Sequence, residues 1–284
     1  MKHDDAGRIR VIHTRAGVGA TAGVIQREAL RFSHITIERP TLIMVRHGVK
    51  LITSSDKEWV IHSGEAIAIA GGHRFDVVNR PDARGAYAAS WLVFEPSMLA
   101  SLPSVAAPMT QSACALGRIE ADFMEAFIRA RDAICEPGRI PDPIARHRMR
   151  EILLWLEGHG VSLIASPPRT FAERVRAILM STLDGTWTAA MVARHLHMSE
   201  ASLRRHLAGE GTSFTDLLAD MRMSHALTLL QSTDYPVGHI ARDVGYDFAS
   251  RFAIRFRKRF GFAPTAIRGH RRADSGAEAR AATV

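Results

Sequence analysis

The stretch TAAMVARHLHMSEASLRRHL, Thr188–Leu207, decides how the chain is read. Val192, Ala193 and Leu196 mark the apolar face of one short helix, and His197-Met198-Ser199 interrupts it. Ser199 is a favourable N-cap, which leaves Leu203 and Leu207 as the buried stripe of a second short helix. Two short helices joined by a tight turn predict a helix-turn-helix, whose second helix enters the major groove of duplex DNA. Glu200, Ala201, Ser202, Arg204 and Arg205 are not needed for the buried stripe and are the candidate contact residues. Arg204 and Arg205 directly follow Leu203, so they lie on flanks away from the core. An arginine there can bond a guanine edge through two hydrogen bonds; the alternative is phosphate contact or solvation.

The pattern repeats downstream. Pro236 opens a helix where its missing N–H does no harm, Ile240, Ala241 and Val244 form its apolar face, and Gly245 ends it. Asp247 is the expected cap of the next helix, and Phe248, Phe252, Phe256 and Phe260, four residues apart, are its expected buried stripe. Ala249, Ser250, Ala253, Ile254 and Arg257 then face outward. Arg251 flanks the stripe, and the cluster Arg255, Arg257, Lys258 and Arg259 is expected to grip phosphates. Between the units, Ser213 to Gln231 reads as one long helix lined by Phe214, Leu218, Met221, Leu229 and Leu230. Such a helix would hold two recognition helices in adjacent major grooves, roughly 34 Å apart.

Composition agrees with a polyanion-binding protein. The chain has 284 residues, 46% hydrophobic and 23% charged, with a formal net charge of +8. The positive surplus is concentrated after residue 170. The two cysteines, Cys114 and Cys135, imply neither a disulfide framework nor a zinc site. There is no signal-like N-terminal segment and no apolar run that spans a bilayer, so a cytoplasmic location without membrane contact is expected. No phosphate loop, nucleophile elbow or paired-carboxylate motif stands out, so neither an enzyme nor a cofactor is expected.

The first hundred residues read as short strands separated by Gly, Pro, Asp and Ser clusters: Ser33–Glu38, Leu42–Arg46, Val49–Thr53, Trp59–His62, Ala66–Ala70, Phe75–Asn79 and Tyr87–Phe94. A mainly β barrel is expected over 1–110. A helical pair over 111–160 follows, with stripes at Leu116, Ile119, Phe123, Phe127, Ala130 and Ile134, then Met149, Ile152, Leu153 and Leu156. It either packs on the barrel or forms a homodimer seam. A linker over 161–169, an all-α DNA-binding domain over 170–270 and a disordered tail over 271–284 complete the division. His47, His62 and His73 are a conceivable metal set, but ordinary histidines and no metal are the expectation. Lys50, Arg46 and Arg74 read as exposed strand residues, with an anionic ligand such as a fatty acid as the alternative.

Residues 171–268 resemble the DNA-binding domain of the AraC/XylS family of regulators. The matching pieces are Met198 to Arg205, Gly211-Thr212-Ser213-Phe214, Met221-Arg222 with Ala226 and Leu229-Leu230, Ile240-Ala241 with Val244-Gly245-Tyr246, and Phe252 to Gly261 with Pro264 and Arg268. The resemblance implies two helix-turn-helix units joined by a helix, a structural role for Arg222, regulation of transcription (more often activation), and RNA polymerase as a partner. Trp59 to His73 bears a weaker resemblance to the cupin-like sensor barrel of such regulators, which implies a small-molecule effector. Members often carry a polar or basic residue where this chain has Ala253-Ile254. Hydrogen-bond readout there is therefore in question, and Ile254 can instead meet a thymine methyl. Two alternatives stay open: a cupin-type metal enzyme with a helical appendage, and a DNA-binding regulator whose N-terminal region binds a protein.

Overall fold

Alternation shapes the N-terminal half. In Glu58–Ile61, Trp59 and Ile61 point inward while Glu58 and Val60 face solvent, the period of two expected of a half-buried strand. The computed structural model describes residues 10–100, 112–163, 170–180 and 187–268. Ten strands among them form two antiparallel sheets. They are β1 (His13–Arg15), β2 (Gly19–Gln26), β3 (Leu30–Ile37), β4 (Thr41–His47), β5 (Val49–Thr53), β6 (Glu58–Ile61), β7 (Glu65–Ile69), β8 (His73–Arg80), β9 (Tyr87–Phe94) and β10 (Ala113–Arg118). One sheet runs β1-β2-β9-β4-β7-β10 and the other β3-β8-β5-β6. A short helix, α1 (Pro96–Ala100), follows β9.

The sequence reading names neither β1 nor β2. The run Gly19-Ala20-Thr21-Ala22-Gly23 has little strand propensity, and packing overrides it. A Cβ on Gly19 would lie 2.3 Å from the Val93 carbonyl oxygen, so this close approach requires glycine. The barrel also extends past residue 110, because β10 pairs with β7. Leu116 therefore lies in a strand, and its helical spacing to Ile119 and Phe123 is coincidental.

The helical pair consists of α2 (Ala121–Cys135) and α3 (Asp142–Gly158). It packs on the barrel: Phe123, Phe127, Met149 and Leu153 share one apolar cluster with Leu42, Leu92 and Phe94. Arg15 pins the pair from β1. Its Nε donates to Asp142 Oδ1 at 2.8 Å and its guanidinium to the Ala133 and Ile140 carbonyls at 2.6 Å. Val161 and Leu163 are buried in the same cluster, so the expected linker does not begin at 161. Residues 164–169 and the expected disordered tail over 271–284 lie outside the described residues.

The C-terminal region is helical: α4 (Phe171–Leu179), α5 (Ala189–His195), α6 (Glu200–Gly209), α7 (Phe214–Ser232), α8 (Val237–Asp243), α9 (Ala249–Phe260), and a 3-10 turn over Pro264–Arg268. It does not hang free. One apolar cluster runs from Phe32, Phe75 and Tyr87 of the barrel into Leu230, Phe252, Phe256 and Phe260. The Phe32 ring meets Phe262 edge-on, with centroids 5.7 Å apart. No described helix is long and apolar enough to cross a membrane.

Candidate nucleic-acid interface

Capping places the first unit. Thr188 Oγ1 accepts from the Met191 N–H and Ser199 Oγ from the Ser202 N–H, each at 3.2 Å, so α5 and α6 each start on a side-chain cap. His197, between them, has φ of 54°, the left-handed conformation that makes the turn tight. Val192, Ala193, Leu203 and Leu207 are buried with Leu217, Leu218 and Met221 of α7. Glu200, Ala201, Arg204 and Arg205 are exposed and Ser202 is half-buried. Arg205 donates to Ser202 Oγ at 3.3 Å. Among the described residues, no carboxylate lies within ion-pair distance of Arg204 or Arg205.

The second unit follows as α8, a turn at Gly245 and α9. Phe252, Phe256 and Phe260 are buried as expected, but Phe248 is not: it is 59% exposed. The helix begins one residue later, with Phe248 as its N-cap and no side-chain cap, so Asp247 does not cap it. Phe262 takes the fourth aromatic place, against Phe256 and Phe260. Ala249, Ser250, Ile254, Arg257 and Lys258 are exposed and Ala253 is half-buried. Arg259 departs from the expected phosphate cluster. It turns to the barrel, donating from Nη1 to the Ser33 carbonyl and from Nη2 to the His34 carbonyl, both at 2.8 Å.

Residues 192–270 match the model of a helix-turn-helix domain family. Over 105 residues the chain is 36% identical to the HTH-type transcriptional activator FapR of Escherichia coli, covering 37% of this chain and 40% of that protein. It is 38% identical over 95 residues to the transcriptional regulator SirC of Salmonella typhimurium, 34% of this chain and 32% of that protein. Residues 192–270 form a helix-turn-helix domain. The chain matches about 40% of the length of the first of these curated relatives. Two solved structures share the fold of nearly the whole chain. ToxT of Vibrio cholerae with bound unsaturated fatty acid has a TM-score of 0.58 at 12% identity, covering 93% of this chain and 95% of that one. ToxT bound to (E)-4-(8-methylnaphthalen-1-yl)but-3-enoic acid has a TM-score of 0.58 at 15% identity, covering 86% and 96%.

Within the helix-turn-helix domain, Arg222 of α7 packs against the turn of the second unit. Gly245 has φ of 80°, and a Cβ there would lie 2.7 Å from the Arg222 guanidinium. Gly245→Ala is therefore expected to destabilise the chain by about 1–3 kcal/mol, through left-handed strain and displacement of Arg222. Denaturant unfolding checks this; an unchanged midpoint would remove the assigned role of the turn.

A clasp joins the domain to β3. Asp220 of α7 accepts from Arg259 Nε at 2.7 Å and from Nη2 of Arg176 on α4 at 3.3 Å. Arg176 also reaches Glu38 Oε1 at 3.2 Å and Thr36 Oγ1 at 3.4 Å. Burial pushes the Glu38 carboxyl above its usual value despite the Arg176 charge beside it. Arg176 of α4 and Arg259 of the second helix-turn-helix unit thus both reach β3. His34, which meets Arg259, has φ of 58° at an irregularity in the β3–β8 register.

Beside the clasp, barrel and α7 line a half-open cavity of about 330 Å³. Its walls are largely apolar, among them Phe32, Ile43, Trp91, Met221 and Leu227, and Lys50, Asn79 and Gln231 supply polar groups. Lys50 is not the exposed strand residue expected. It is buried, and burial pushes its ammonium down to about 8. Its Nζ donates to Asn79 Oδ1 at 2.9 Å and sits 5.7 Å from the Tyr87 ring centre. Asn79 Nδ2 donates to Gln26 Oε1 at 3.1 Å, and Gln231 of α7 donates to the same oxygen at 3.2 Å. The buried Tyr87 and Ser224 hydroxyls have no partner among the described residues. Arg74 is exposed and Arg46 half-buried, outside this cavity's lining. No described group of three His, Cys, Asp or Glu residues could hold a metal; His62 is exposed, and His47 lies 3.8 Å from Asp82.

Proposed function

We propose that the chain is a sequence-specific, duplex-DNA-binding transcription regulator, an activator, whose barrel domain takes an apolar carboxylate as effector. The observation that carries the DNA reading is the pair of helix-turn-helix units held on one helix, α7, each with exposed basic side chains. Arg204 and Arg205 are assigned to base edges, and Arg257 and Lys258 to phosphates. RNA polymerase is the protein partner this reading implies, the cytoplasm its compartment, and binding rather than catalysis its chemistry. The names of the curated relatives, activators and regulators, support it.

The effector reading rests on Lys50, a buried cation with no carboxylate partner among the described residues, at the polar end of an apolar cavity. A carboxylate at Lys50 would supply the missing counter-charge, and its tail would line Phe32 and Trp91. The ToxT structures, one with an unsaturated fatty acid and one with an aryl-butenoic acid, are consistent with such a ligand. The relay Lys50–Asn79–Gln26–Gln231 would carry its presence to α7. A second copy of the chain is the proposed partner of α2–α3, where Ile128, Ile144 and Leu154 are exposed.

Fluorescence anisotropy on a cognate duplex, at several salt concentrations, tests the DNA reading. Arg204→Ala or Arg205→Ala should cost roughly 1–3 kcal/mol and relax one base preference. Lys258→Ala should weaken binding to all sequences alike and lower the salt slope by about 1. Arginine variants with unchanged affinity and preference would refute the assignment of α6.

A further inference from the structure

The two recognition helices present different chemistry. α6 exposes Glu200, Arg204 and Arg205. The first turns of α9 expose Ala249, Ser250 and Ile254, preceded by Phe248. Ile254 is 71% exposed, and it and Phe248 are two of the three most exposed large hydrophobic residues among those described. Single exposed apolar residues are common, but these two sit within two turns of one helix. Phe248 moreover occupies an N-cap position without a capping bond, where Ser or Asp would supply one. Its ring lies 5.5 Å below the Arg251 guanidinium, which orients it. A helix that gives up both solvation and capping in one place departs from local rules where a partner is expected.

The surroundings identify that partner. Arg251, Arg257 and Lys258 flank the apolar residues and are suited to phosphates, so the face is built to lie against a polyanion. A recognition helix meets base edges with its N-terminal residues, the end where Phe248 and Ala249 stand. On a base edge in the major groove, the apolar feature is the thymine C5 methyl. Of Phe248, Ala249, Ser250, Ala253 and Ile254, only Ser250 has a hydrogen-bonding side chain with which to read guanine or adenine.

We infer that α9 reads thymine methyl groups, with Ile254 and Phe248 as the specificity-determining residues of the second half-site. The inference rests on the duplex-DNA reading above. The first half-site is then read by charge and hydrogen bonds, and the second by apolar contact. 5-Methylcytosine carries the same methyl in the same groove and is the non-thymine base the second half-site should favour.

The test uses the full chain and a duplex it enriches from a random pool, with thymines replaced by deoxyuridine in one half-site at a time. Each buried methyl lost should weaken binding about fourfold. The penalty should appear in the half-site assigned to α9. Ile254→Ser should abolish most of it and Phe248→Ser a smaller part, with the salt slope unchanged in both. Restored affinity when 5-methylcytosine, but not cytosine, replaces a sensitive thymine would add support. A chain that enriches a duplex yet tolerates uracil throughout overturns this inference alone. A uracil penalty that survives both substitutions overturns it too. A chain that enriches no duplex overturns both this inference and the regulator reading beneath it.

Discussion

A Lys50→Met chain should be more stable than the parent and nearly blind to a carboxylate effector. The two effects have one cause. In the free protein the Lys50 ammonium is buried, and among the described residues its polar and ring contacts are Asn79 Oδ1 and the Tyr87 ring. Replacing an isolated buried charge by an apolar chain of similar length relieves desolvation, so thermal unfolding should move upward. With a carboxylate bound, the same ammonium becomes half of a buried ion pair. Removing one partner of such a pair costs roughly 2–5 kcal/mol, or tens- to thousands-fold in affinity. Titration calorimetry with decanoate checks it, and a methionine variant that binds as well as the parent would remove Lys50 from the site.

The same group sets a pH dependence. Its value in the folded protein, about 8, lies below the ordinary 10.5. The charged form that pairs with a carboxylate is therefore fully present below pH 8 and lost as pH rises through that value. Decanoate affinity should fall over the same range. For the free protein the sign reverses: the unfolded chain holds the proton more tightly between 8 and 10.5, so this residue's contribution to stability grows as pH rises through that window.

Phe256→Ala should be the most damaging single substitution for the fold. The ring is fully buried between Phe252, Phe260 and Phe262, in the cluster that continues into the barrel through Phe32. Truncating such a phenylalanine costs about 3–5 kcal/mol. Because one cluster serves both domains, circular dichroism should show strand and helix signals weakening together, with a midpoint roughly 10 °C lower. A helical transition that moves while the strand signal stays in place would show the cluster to be two cores.

Much of this was legible because it is local. Thr188, Ser199 and Ser213 each cap a helix the sequence marks, and Leu203, Leu207, Phe252 and Phe256 keep helical spacing within their own elements. The misreadings have physical origins. The phenylalanine stripe ends one step sooner than its spacing suggests: four residues back from Phe252 lies Phe248, already outside α9, where helical periodicity no longer sets direction. Arg259 looks like its neighbours Arg257 and Lys258 until the Ser33 and His34 carbonyls, more than two hundred residues earlier, come to meet it. Lys50 had a usable signal. In Val49–Thr53 the residues alternate, and Lys50 shares a face with Ile52, which is buried. Its apolar partner two residues on places it inward, against what its charge alone suggests. The polar relay through Gln26 and Gln231 left no local trace, since its members lie on strands and a helix far apart in the chain.

The most direct test of the central claim is selection of bound duplexes from a random pool by the full chain. Two helix-turn-helix units held by α7 predict an asymmetric motif with two boxes about one helical turn, ~10 base pairs, apart. Recovery of no motif, with binding that simply disappears as salt rises, would show a surface that adheres to phosphates without reading sequence, and would contradict the account.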